Sequence, residues 1–172
     1  MNEPASPSSF EQRVRPLLRR SAGYARAIVQ DRDDADDAVQ DALLKAHRSF
    51  DRFDPARPFE GWWFAILRSC CLDLLRTRAS RAREQPLVDS DPPAPTPAPA
   101  APDAPDWTRL RRALHRLSSD HRAILELRYF GDCSYRAIAD ALAIPMGTVM
   151  SRLHAARAAL ARVYGNCEEE SS

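Results

Sequence analysis

The stretch from Gln85 to Asp106, QPLVDSDPPAPTPAPAAPDAPD, limits every fold this chain can adopt, because eight of its fourteen prolines fall there. Proline has no backbone N–H and its ring clashes with the preceding helical turn, costing about 3 kcal/mol inside a helix. A run this dense joins neither a helix nor a sheet, and it is expected as an extended, flexible linker. The chain then divides into a disordered N-terminus at 1–9, a helical domain at 10–84, the linker at 85–106, a second helical domain at 107–165 and a tail at 166–172. A net charge of +1 over 172 residues does not point to any partner. The average conceals a strongly acidic segment, DRDDADDAVQD at 31–41, and an arginine excess over 107–164. Charge is separated between the two halves.

Apolar residues recur at helical spacing on both sides of the linker, so the expected fold class is all-α: two small helical domains, the second ending in a helix-turn-helix. In that second domain Asp106 caps a helix over 107–117, and another follows at 119–129 with Ala123, Ile124, Leu127 and Phe130 inward and Gly131 closing it. Ser134 caps the next helix, which buries Ile138, Ala141 and Leu142 until Pro145 blocks it. A last helix from about Gly147 places Val149, Leu153, Ala156, Leu160 and Val163 on its buried stripe. Thr148, Met150, Ser151, Arg152, His154 and Ala155 are left outward, with Arg157 further along. A polar face at a helix N-terminus followed by arginines suits a helix seated in a DNA major groove. His154 reads equally well as a packing or backbone-contacting residue.

The first domain begins with helical pattern at 10–20, where Pro16 marks a start or a kink. Leu17, Leu18, Tyr24, Ala25, Ile28 and Val29 supply apolar faces, and Asp33 or Asp34 is placed to cap a helix over 35–49. That helix carries two stripes. Ala35, Ala38, Val39, Ala42, Leu43 and Ala46 form a core face, while Asp37, Gln40, Asp41 and Leu44, with Lys45 beside them, line another. By composition the second stripe is a solvated acidic face; Leu44 in a charged frame is what argues for a docking surface. A loop rich in aromatic residues follows (Phe50, Phe53, Asp54-Pro55, Pro58), then a helix over 59–78 with Trp63, Ile66, Leu67, Cys70 and Leu74 inward. Trp62, Ser69, Asp73 and Arg76 lie on a different side, followed by Arg78, Arg81 and Arg83. Aromatic groups beside arginines suit single-stranded DNA, since stacking on an unpaired base contributes roughly 1–3 kcal/mol. Both tryptophans also read as core.

No apolar run approaches the roughly 18 residues that span a bilayer, and the N-terminus lacks a basic and apolar signal segment, so a cytoplasmic protein without membrane insertion is expected. Cys70, Cys71, Cys133 and Cys167 lack metal-site spacing, and Cys70 reads as a small buried apolar residue. Neither a glycine-rich phosphate loop nor a nucleophile and base pairing is present, so no cofactor, metal or catalytic residue is expected.

Three segments in order carry a family resemblance: DADDAVQDALLKAH, FDPARPFEGWWFAILRSCCLDLLR and LSSDHRAILELRYFGDCSYRAIADALAIPMGTVMSRLHAARAAL. Together they resemble the core-polymerase-binding, promoter-melting and region 4 segments of bacterial RNA polymerase sigma factors of the extracytoplasmic-function type, built from regions 2 and 4 only. The resemblance implies an alternative sigma factor that binds core RNA polymerase, recognises the -35 and -10 elements and promotes promoter opening. It implies that Asp37, Gln40, Asp41, Leu44 and Lys45 meet a coiled coil of the largest polymerase subunits. Phe53, Arg57, Phe59, Trp62, Arg68, Ser69 and Arg76 are implied for the melted -10 strand. For double-stranded -35 DNA the implied residues are Ser134, Arg136, Thr148, Met150, Ser151, Arg152, His154, Ala155 and Arg157. An anti-sigma factor is the implied inhibitor. Ser69 stands where the family often has Asn, Ala143 where Gly is frequent, and Met150 and Ala155 where the reading helix is often basic. The competing reading is a helix-turn-helix regulator that never engages polymerase.

Overall fold

The computed structural model describes residues 7–84 and 107–169, with side chains from 10 to 83 and from 108 to 165. The expected linker at 85–106, the Asp106 cap and the ends at 1–6 and 170–172 lie outside the described residues. Every described element is helical: α1 (Pro7–Val14), α2 (Leu18–Val29), α3 (Arg32–Ser49), α4 (Phe59–Glu84), α5 (Trp107–His115), α6 (Ser119–Leu125), α7 (Tyr135–Ala141) and α8 (Met146–Glu169).

The N-terminal helix starts earlier than expected. Pro7 opens α1 because a first turn has no use for the missing N–H, and buried Phe10 anchors the helix against His47, Phe50 and Phe59. Pro16 sits in a 3-10 turn, Arg15–Leu17, that joins α1 to α2. The cap of α3 is Asp31, whose carboxylate accepts from Asp34 N at 3.0 Å, rather than Asp33 or Asp34. Those two carboxylates instead occupy the first helical turn, where the positive end of the helix dipole favours them.

Helices α2, α3 and α4 pack together as the first half of the molecule. The alanines of α3 (35, 38, 42 and 46) are buried and let the backbones approach closely. Trp63 is fully buried and donates its indole N–H to Ser21 Oγ at 2.8 Å; that hydroxyl donates in turn to Leu17 O at 2.8 Å. A buried indole and a buried hydroxyl are thereby both satisfied.

In the second half, α6 passes into a π-helical turn, Glu126–Phe130. The left-handed residue after it is Asp132 (φ 46°), not Gly131 (φ −78°). Gly131 is needed for space, since a Cβ there would lie 2.8 Å from Leu127 O and 3.3 Å from Phe64 Cε1. Ala143 takes φ 52° behind α7, with Ile144 N donating to Ala139 O (2.9 Å) and Ala143 N to Asp140 O (3.2 Å). This pair of bonds is a Schellman motif, which favours glycine at the left-handed position. Helix α8 starts at Met146 and continues through Gly165 to Glu169, beyond the tail expected from 166, because a lone glycine without a following proline weakens a helix but does not end it.

The two halves are not separate bodies. α4 packs along α7, and α2 along the π-helical turn. Tyr24, Phe64 and Cys71 from the first half form one continuous core with Leu127, Cys133 and Ile138 from the second.

Candidate nucleic-acid interface

The acidic face of α3 is built as expected. Asp37, Gln40, Asp41, Leu44 and Lys45 are all exposed, Leu44 at 56%. Helical spacing puts the buried alanines on one side and leaves this stripe to solvent. Lys45 Nζ lies 3.7 Å from Asp73 of α4, and Asp34 pairs with Arg78, so a charged groove runs between α3 and the outer half of α4.

The aromatic loop turns on Asp54, whose carboxylate accepts from Ala56 N at 2.9 Å. This turn presents Arg57 and brings Phe53, Phe59 and Trp62 into one half-buried cluster with Phe50. Phe53 lies parallel to Phe50 at 6.0 Å, and the Trp62 ring is 5.0 Å from Phe53. Arg13 of α1 sits 5.9 Å from the Phe53 ring, a cation beside this cluster that the sequence did not single out. Ser69 and Arg76 are exposed, with Arg76 held by Asp73 at 2.9 Å. Arg68 points elsewhere: it lies on the face of α4 that meets Tyr24 and Glu126, remote in helical angle from Trp62.

On α8, Met150, Ser151, His154, Ala155 and Arg157 are exposed and Thr148 is half-buried. Arg152 is drawn to Asp120 of α6 at 3.4 Å. Arg157 donates to the Tyr129 hydroxyl at 2.8 Å, and Tyr129 itself is 57% exposed. With Met150 also 57% exposed, this surface is less basic and more apolar than its arginine count implies. Arg136 of α7 is exposed.

Two expected DNA-binding residues instead meet the opposite half. Arg57 Nη2 lies 2.7 Å from Asp140 Oδ1 on α7. Ser134, which caps α7 through Ala137 N, gives both its N–H (3.3 Å) and its hydroxyl (3.2 Å) to Glu60 of α4. Arg20 of α2 completes the contact by pairing with Glu60 and donating to Gly131 O (2.7 Å) and Asp132 O (2.8 Å). Helical spacing singles out none of Arg20, Glu60, Gly61 and Asp140, although the last three lie within the segments that carry the family resemblance.

Glu126 is 5% exposed, and burial pushes its carboxyl up to about 7, with Arg122 and Arg68 opposing. Burial likewise raises the Tyr24 hydroxyl well above its ordinary value, with the nearby Glu126 carboxylate adding to it. The thiols of Cys71 and Cys133 are pushed up to about 12 by burial, so neither is a thiolate at neutral pH. His115 is shifted down by burial and by Arg122 and Arg111. Among the described residues no cluster of His, Cys, Asp or Glu has the makings of a metal site, and no helix is long and apolar enough to cross a membrane.

An exposed acidic helix face, an aromatic loop and a terminal helix pair are the features the comparisons have to account for. The sigma-70 region 2 family model matches residues 13–81 and the sigma-70 region 4 model matches residues 107–160, so the chain is a sigma-70-type transcription factor. It is 37% identical over 142 residues to the ECF RNA polymerase sigma factor SigL of Mycobacterium tuberculosis, covering 80% of this chain and 78% of SigL. It is 36% identical over 157 residues to SigM of the same organism, covering 91% and 78%. The sigma factor RpoE in complex with the anti-sigma factor NepR from Bartonella quintana has a similar structure, with a TM-score of 0.67, 28% identity and coverage of 91% of this chain and 96% of that one. CnrH in complex with the cytosolic domain of CnrY gives 0.68, 26%, 94% and 91%. The chain belongs to the ECF family of RNA polymerase sigma factors and is an alternative sigma factor of transcription initiation.

Proposed function

We propose that this chain acts in the cytoplasm by binding rather than by catalysis, joining core RNA polymerase to promoter DNA through three surfaces. The exposed stripe Asp37, Gln40, Asp41, Leu44 and Lys45 is the polymerase-docking face. The observation that carries this is Leu44, 56% exposed in the middle of a carboxylate frame, since a solvated helix face gains nothing from a leucine there. A basic or polar groove on the polymerase would pair with the carboxylates, and an apolar contact would cover the leucine.

The loop and first turns of α4, with Phe53, Arg57, Phe59 and Trp62, receive an unpaired -10 base, and Ser69 and Arg76 lie along the strand. Opening follows from differential binding of the single strand, with no nucleotide hydrolysed. Helices α7 and α8 act as a helix-turn-helix on the -35 element, where Ser134, Arg136, Thr148, Met150, Ser151, Arg152, His154, Ala155 and Arg157 face the duplex. Arg68 is the weakest member of the -10 set, given its position beside Glu126. An anti-sigma factor is the expected inhibitor, since the structural relative RpoE is in complex with the anti-sigma factor NepR. Run-off transcription with purified core polymerase tests the reading: a promoter-specific transcript that depends on this chain is expected, and its absence, together with failure to co-purify with core, would refute it.

A further inference from the structure

Helix α1 lies outside the three segments that carry the family resemblance, and the region 2 match begins only at residue 13. It is nonetheless built into the aromatic cluster. Phe10 is buried and meets Phe50 and Phe59 edge-on, with ring centres 5.4 and 6.2 Å apart, and Val14 is buried one turn further on. Two buried residues at i and i+4 fix the rotation of the helix and leave Arg13 on its exposed flank. The Arg13 guanidinium carbon lies 5.9 Å from the centre of the Phe53 ring and 6.0 Å from that of Phe59. Trp62 packs against the same two rings at 5.0 and 5.5 Å.

Every nucleotide of a strand carries a phosphate, so a site that stacks an unpaired base also has to neutralise the charge beside it. The arginines that the resemblance assigns to the -10 strand are matched by carboxylates or face elsewhere. Arg57 Nη2 lies 2.7 Å from Asp140, Arg76 Nη1 lies 2.9 Å from Asp73, and Arg68 is on the side of α4 near Glu126. Arg13 is exposed and has no carboxylate partner among the described residues. It rests against the rings, a contact that is weak at an exposed site, whereas its planar fork of donors matches a phosphate. We propose that α1 forms one wall of the single-strand site and that Arg13 holds the phosphate next to the unpaired -10 base. Its guanidinium moves from the rings of Phe53 and Phe59 to the strand when the base stacks there.

The inference rests on the aromatic loop being the -10 site, and the test keeps the two apart. Polymerase holoenzyme is assembled with the full-length wild type, R13A, R13M, R13K or W62A. Each is titrated with a single-stranded oligonucleotide carrying the non-template -10 strand of the promoter used for run-off transcription. R13A and R13M are expected to bind it about five- to tenfold more weakly, with the slope of log affinity against log salt reduced by about 0.7, the value for one phosphate on a single strand. R13K is expected to keep the wild-type slope and most of the affinity, since the charge remains. Methionine keeps an apolar stem over the rings without the charge, so an R13M chain that binds like the wild type would overturn the proposal in favour of packing. Replacing phosphates one at a time by uncharged methylphosphonates is expected to weaken the wild type at the position beside the unpaired base and to leave R13A unaffected there. Equal losses in both chains at every position would also overturn it. Circular dichroism is expected to be unchanged in the Arg13 variants, because the side chain is exposed. Strand binding that falls in W62A but not in R13A removes the role of Arg13 alone, whereas binding indifferent to both removes the -10 reading of the loop with it.

Discussion

At the scale of single residues, burial decides more than composition does. Glu126 holds its proton up to about 7 in the folded chain against its ordinary value of 4.5, because burial disfavours the charge more than Arg122 and Arg68 favour it. The folded state therefore binds the extra proton between those values. Its contribution to stability is fully present below pH 4.5 and is lost as pH rises through 7. Glu126→Gln is accordingly expected to stabilise the protein by about 1–3 kcal/mol at pH 8 and to change little at pH 4, as measured by urea denaturation at the two values. A substitution effect that is the same at both would contradict this. Ala143 is a second case. With φ at 52° its methyl group is strained, and Ala143→Gly is expected to raise stability by about 0.5–1 kcal/mol after the greater flexibility of unfolded glycine is offset. The family resemblance marked Ala143 as standing where Gly is frequent, and the structure gives the reason in its left-handed φ, whereas Glu126 read as one more charged residue on a helix. Its burial depends on partners from α2 and α4 that no local pattern announces.

At the scale of elements, periodicity served well where one face meets solvent. The stripe on α3 was readable because apolar and acidic residues repeat at helical spacing, and the structure exposes all five of its proposed docking residues. Asp37→Arg with Asp41→Arg is expected to lower affinity for core polymerase by about tenfold or more, roughly 1.4 kcal/mol, with helicity intact; unchanged co-purification would return this stripe to a solvated surface. Periodicity was less informative on α4, a helix with partners on several sides. Trp62 and Arg68 have different surroundings there, one in the aromatic cluster and one near Glu126; spacing had not grouped them, and only the family resemblance put both in one strand-binding set. The π-helical turn was also invisible, since one extra residue in a turn leaves no mark in composition.

At the scale of the molecule, the continuous core across the seam makes a thermodynamic statement. Two halves that share a dry interface are expected to unfold in one cooperative transition, followed by calorimetry, with coincident loss of tryptophan fluorescence and helicity. A Cβ on Gly61 would lie 2.7 Å from Ala137 O, so in G61A/D140A the same scan is expected to resolve into two transitions, because each half then keeps only its own core. A single transition in both chains would mean that the shared core, rather than the Arg57–Asp140 pair and the Gly61 contact, holds the halves together.

By itself the sequence determined the helical class, the faces of α3 and α8, the burial of Trp63 and the membership of the chain in its family. The first three follow from apolar spacing and caps, which act on the chain locally, and the last from the order of three motif segments along it. Only the tertiary structure decided what the halves do to each other. Glu60 and Ser134 lie 74 positions apart, and Arg57 and Asp140 lie 83 apart, across the proline-rich segment. Helical spacing says which side of a helix is covered and not by what. A glycine such as Gly61 reads as a mere weakness in a helix until the opposing backbone is seen against it.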